Sequence, residues 1–168
     1  MLQHLALVTF PALMTFAAAS DLLTMKIPNL VSLILLLAYF VLAALLGFSW
    51  DTVGLHLLSA LVVFGLALLL YLAGLIGGGD AKLAAATALW VGWEHLLGYG
   101  VLASFAGGVL TLVIIAVGYL DFYPFMQSLP FMRLLARKVN CVPYGVALGA
   151  GGLLIYPHTE VWRGISGL

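Results

Sequence analysis

Long uncharged runs broken by short polar turns dominate the hydrophobic pattern of this chain. Residues 2–20 are apolar with Pro11 inside, residues 30–48 carry no charge, and residues 53–76 hold His56 as their only acidic or basic residue. At about 1.5 Å per helical residue, runs of this length cross a hydrocarbon core of roughly 30 Å. A fourth run begins at residue 81, directly after Gly77-Gly78-Gly79-Asp80, and is expected to continue past Glu94 and His95 to about Tyr99. Residues 100–120 form a fifth run and residues 141–157 a glycine-rich sixth, followed by a short tail with His158, Glu160 and Arg163. Between the fifth and sixth runs, Pro124 and Pro130 punctuate residues 121–140. From Pro130 to Val139 an apolar side of Phe131, Met132, Leu134, Leu135 and Val139 opposes Arg133 and Arg137, as in an interfacial amphipathic helix. The predicted fold is all-α: a polytopic membrane protein with six transmembrane helices and this short amphipathic segment, residues 1–168 making one domain.

Composition supports the membrane reading, with 65% hydrophobic and 7% charged residues. Six Lys/Arg balance six Asp/Glu, which leaves no basic surface for nucleic acid. The lone Cys141 excludes an intramolecular disulfide and a multi-thiolate zinc site, and its expected role is a small buried side chain. His4, His56, His95 and His158 lie on separate segments without metal-ligand spacing, so neither metal nor cofactor is expected. Ala17-Ala18-Ala19 imitates a signal-peptide cleavage site, but no Lys or Arg precedes the apolar core, and the first run is expected to stay as an uncleaved helix. Gly107-Gly108 in the fifth run is expected to be a close helix-packing site.

Alternating six spans places the turns at 21–29, 77–82 and 121–140 on one side of the membrane. Lys26, Lys82, Arg133, Arg137 and Lys138 fall there, five of the six Lys/Arg, with Arg163 opposite. The positive-inside rule makes that side the cytoplasm and puts both termini outside. Asp21 then ends the first span and Asp80 begins the fourth at a similar depth. An ionisable group in such a setting is read first as functional. Two close carboxylates can share one proton, the state in which one activates a water and the other protonates a leaving group. The plainer alternative is that Asp21 and Asp80 cap helix ends or pair with Lys26 and Lys82. A small proton- or ion-coupled transporter using both aspartates is the competing function.

Three motifs favour the peptidase. The G-x-G-D pattern of Gly77-Gly78-Gly79-Asp80, with Lys82-Leu83 after it, resembles the signature of intramembrane aspartic proteases of the type IV prepilin peptidase family. Asp21 six residues before Ile27-Pro28-Asn29 resembles the first-aspartate motif, and Val142-Pro143-Tyr144-Gly145 resembles the start of the last helix. Many relatives carry Arg two residues after the first aspartate, where this chain has Leu23. The short chain, without paired Cys-x-x-Cys motifs or a cytosolic domain, is similar to the prepilin peptidases of Tad-type (Flp) pilus systems. The resemblance implies an aspartic endopeptidase of the bacterial inner membrane, without methyltransferase activity, that removes the leader of a prepilin at the cytoplasmic face. It makes Asp21 and Asp80 the catalytic dyad. Gly77, Gly79, Lys82, Pro143 and Tyr144 become candidate substrate contacts. Headgroup contact by Lys26 and Lys82, with membrane lipid as partner, and helix packing by Pro143 and Tyr144 are the plainer alternatives.

Overall fold

The computed structural model describes residues 2–120 and 142–167. The expected amphipathic helix at 130–139, with Arg133, Arg137 and Lys138, and Cys141 lie outside the described residues. Those residues form helices α1 (Leu2–Thr24), α2 (Asn29–Leu45), α3 (Trp50–Leu72), α4 (Gly78–Val91), α5 (Leu96–Leu120) and α6 (Tyr144–Ile155). A 3-10 turn at Tyr156–His158 and a short α7 (Glu160–Ser166) follow. Among the described residues three helices are long and apolar enough to cross a membrane, through Leu7–Thr24, Trp50–Leu72 and Leu96–Val117. The apolar α2 is shorter, at 17 residues. Helices α4 and α6, with 14 and 12 residues, are shorter still and reach about 21 and 18 Å.

Several boundaries move from where the hydrophobic pattern put them. Helix α1 runs four residues beyond Ser20, because its buried stripe of Phe10, Met14 and Ala17 continues one turn further to Asp21. Helix α3 starts at Trp50, where the Ser49 hydroxyl caps it by accepting the Thr52 N–H at 3.1 Å. It stops at Leu72 because Gly74 takes φ +73 and a Schellman pair closes the end, Leu75 N–H to the Leu70 carbonyl and Gly74 N–H to that of Tyr71. The fourth helix does not reach Tyr99. Gly92, at φ +76, ends it after Val91, and Tyr99 belongs to α5. The tail is a packed helix whose Val161 and Ile165 are buried.

Helix α4 is the centre of the bundle, packed against α2, α3, α5, α6 and α7. Nine of its 14 residues are buried, and the run Ala84-Ala85-Ala86-Thr87-Ala88 keeps it slim enough for neighbours on every side. Its far end is tied down by polar contacts. Trp90 Nε1 donates to the Leu35 carbonyl at 2.9 Å, and Ser59 Oγ donates to the Ala88 carbonyl at 3.1 Å. Buried His56 approaches the Leu89 carbonyl through Nδ1 at 2.7 Å and Glu160 through Nε2 at 3.5 Å. Such bonds carry weight in an apolar bundle, where an unpaired polar group has no water to fall back on.

The glycines of α6 set how closely it packs. A Cβ on Gly151 would lie 2.8 Å from the Ala103 nitrogen of α5, backbone that has no room to yield. The expected packing pair on α5 divides: Gly107 faces Ala147 at 3.5 Å, whereas Gly108 has nothing within 4 Å and borders a groove. Gly151→Ala is expected to destabilise the protein by about 1–3 kcal/mol, the range of an overpacked core. Gly108→Ala should leave stability near that of the parent, and thermal melts of both variants in detergent check the contrast.

Candidate active site

Chain direction brings the Asp21 and Asp80 turns to one end of the bundle. At the end of α1, Met25 adopts φ +58, an uncommon conformation for a side chain of this size. Two hydroxyls secure the turn: Ser20 Oγ donates to the Lys26 carbonyl at 2.8 Å, and Thr24 Oγ1 to the Ser20 carbonyl at 2.7 Å. Pro28, with φ −61 and ψ 130, then starts α2 at Asn29. From the other side, Gly77 begins α4, and the Asp80 side chain reaches back to accept the Gly77 N–H at 3.0 Å. This satisfies one of the orphan donors at the helix start and sets a carboxylate at the positive end of the helix.

These two turns touch. A Cβ on Gly79 would lie 3.2 Å from Ile27 Cβ and 3.4 Å from its carbonyl oxygen, so the glycine loop and the Ile27-Pro28-Asn29 turn meet nearly backbone to backbone. Between them is a cavity of about 300 Å³ lined by Asp21, Met25, Lys26, Ile27, Asn29 and residues 77–80. Asp21 and Asp80, 59 positions apart in the sequence, thus face one space. Asp21 is buried, at 5% exposure, and its Oδ2 accepts the Gly145 N–H at 2.7 Å. A Cβ on Gly145 would stand 2.8 Å from that same oxygen and 2.8 Å from Ile27 Cδ1. Gly145, whose neighbours Pro143 and Tyr144 were the candidate contacts, is the residue of that segment that meets Asp21. The signal was available: Gly145, Gly149 and Gly152 recur at helical spacing, the mark of one face pressed against other helices.

The candidate substrate contacts separate in space. Gly77 and Gly79 line the cavity that Asp21 and Asp80 face. Tyr144 joins Asp80 in lining a second, larger groove of about 780 Å³ between α3 and α5. Pro143 is buried as the residue that begins α6. Lys82 does not line the cavity between the two aspartates, and its Nζ donates to Oδ1 of Asn29, which does, at 3.0 Å.

Asp80 is half-buried in the first turn of α4 and faces the same cavity as Asp21, so a second negative charge there is resisted, as proton sharing requires.

Comparison with known proteins agrees with this geometry. The sequence pattern described as the type IV leader peptidase family matches residues 8–112, more than half of the chain and both aspartate turns. The chain belongs to the type IV leader peptidase family. Leader peptidases of this family are aspartic-type proteases, and the matched stretch runs from α1 into α5. The Val142-Pro143-Tyr144-Gly145 segment lies beyond the match, yet the fold returns Gly145 to Asp21. No curated protein and no solved structure matches the chain.

Proposed function

We propose that Asp21 and Asp80 form the catalytic dyad of an intramembrane endopeptidase that removes the leader from a type IV, Flp-like prepilin. The observation that carries this reading is the single cavity faced by both carboxylates, with the apolar groove opening at Asp80 beside it. With one proton on the pair, the ionised carboxylate takes a proton from water as its oxygen adds to the scissile carbonyl carbon. The protonated partner supports the carbonyl oxygen, and a proton then passes to the departing amide nitrogen as the C–N bond breaks. Extended backbone is needed for this attack, since a helical peptide bond is hydrogen-bonded within its own chain. The apolar segment of the prepilin would lie in the groove between α3 and α5, with Gly77, Gly79 and Tyr144 beside the stretched peptide. Pro143 would act through the position of α6, and Lys82 through Asn29.

In this reading residues 1–168 work as one peptidase domain in the bacterial inner membrane, crossing it six times with both termini outside and the dyad toward the cytoplasm. The excess of Lys/Arg in the turns that accompany the dyad supports that orientation. Absence of paired Cys-x-x-Cys motifs from the sequence supports cleavage without methylation of the new amino terminus.

Purified protein incubated with a precursor pilin in lipid should release the leader at one defined bond. Asp21→Asn and Asp80→Asn should each abolish cleavage while the protein stays folded, because an amide cannot share the proton. Near-native turnover by either variant would refute the dyad. Gly145→Ala should slow cleavage about a hundredfold, the cost of an active-site group misplaced by roughly 1 Å. Labels at residues 24 and 79 should react from one side of the membrane and labels at 51 and 160 from the other. Residues 24 and 79 on opposite sides would equally exclude the dyad.

A further inference from the structure

Helix α4 has a groove on each side. Asp80 and Ala84 border the larger one, and the opposite face, through Lys82, Ala85, Ala86 and Leu89, borders another of about 360 Å³ between α2 and α3. Most of this second groove is apolar, walled by Leu33 and Leu36 of α2 and by Leu57, Leu61 and Phe64 of α3. One end is not. There Lys82 donates to Asn29, and among the described residues no carboxylate lies within salt-bridge distance of Lys82. Ser32, one turn below Asn29, has an Oγ shielded from solvent and without a hydrogen-bond partner.

A cation with no carboxylate partner among the described residues, at the mouth of an apolar trough, has the polarity of an amphiphile with a negative head. From Asn29 to Leu36 the trough descends seven residues of helix, about 10 Å, the reach of part of an acyl chain. A helical partner, itself about 10 Å wide with its side chains, is better served by the groove on the Asp80 side, which has more than twice the volume. We infer that the groove between α2, α3 and α4 is a binding site for an anionic phospholipid, with the phosphate on Lys82 and Asn29 and an acyl chain along Leu36, Ala85 and Leu89. Asn29 also lines the dyad cavity, and Gly79 touches Ile27 two residues before it. A headgroup at Asn29 therefore braces the turn against which the glycine loop packs. This binding does not depend on the identity of the peptidase substrate.

The test uses the full chain in phosphatidylcholine nanodiscs or neutral detergent, titrated with phosphatidylglycerol or with added phosphatidylcholine. Retained lipid is read by native mass spectrometry and thermal stabilisation by melting. One phosphatidylglycerol should be retained in preference to phosphatidylcholine, with a rise in melting temperature. Lys82→Gln should weaken that retention about fivefold, the worth of one cation at a headgroup, and Lys82→Arg should restore it. Ala85→Phe fills the trough without touching the charge and should also displace the lipid. Equal retention of both lipids, or unchanged phosphatidylglycerol retention in both Lys82→Gln and Ala85→Phe, would overturn the site. So would a protein dimer that Ala85→Phe dissociates, since a second copy would then be the occupant.

Discussion

Asp21 occupies the space that a side chain at position 145 would need. Its Oδ2 accepts the Gly145 N–H at 2.7 Å, and any Cβ there would overlap the same oxygen. A carboxylate buried at 5% exposure requires such a donor, because solvent cannot supply one. The bond joins α1 to α6 across 124 positions and fixes the depth of the acid. Ile27 Cδ1 shares the contact, so the turn after α1 is held in the same place. Gly79 then approaches the backbone of Ile27, and through it the loop carrying Asp80 is set against the turn beyond Asp21. One missing methyl on each of two glycines thus positions the two acids relative to each other.

That chain of contacts needs α4 to enter the centre of the bundle, and its sequence suits the task. Alanines let α2, α3, α5 and α6 approach, while the polar anchors at the far end come from partners on other helices. His56, Ser59 and the Leu35 carbonyl hold the α4 backbone and Trp90 from outside. Anchoring one end firmly leaves the other end, with Asp80, half-buried beside two cavities. The asymmetry holds the helix at one end and leaves Asp80 bordering open space at the other.

The two faces of α4 have different partners to offer. Its Asp80 face opens onto the larger groove, bordered by Gly100, Gly107 and Gly108 of α5, whose lack of side chains widens it. Its Lys82 face opens onto a narrower trough bordered by leucines of α2 and α3. Alternation of charge two residues apart on one helix, Asp80 then Lys82, accounts for the division, since positions two apart point to opposite sides.

The order of apolar helices, their membrane character and the two candidate acids were legible in the sequence, because each is written locally. Uncharged runs betray helices to any hydropathy reading, and Asp21 and Asp80 stand out against an almost uncharged background. The G-x-G-D and I-P-N segments were legible for the same reason, as short contiguous motifs. Boundaries were less so. Gly74 and Gly92 end α3 and α4 through positive φ, and a glycine in an apolar run looks the same whether it turns the chain or packs a helix. Gly108 was read as packing and borders open space, whereas Gly151, in a run read only as glycine-rich, abuts the α5 backbone. Which glycine faces a neighbour depends on helix rotation, and rotation is decided by contacts between segments far apart in sequence. The same holds for Gly145 against Asp21 and for the aim of Lys82 toward Asn29. Sequence by itself determined which residues could do the chemistry; tertiary structure decided which of them meet, because a carboxylate and the backbone N–H that holds it come from opposite ends of the chain.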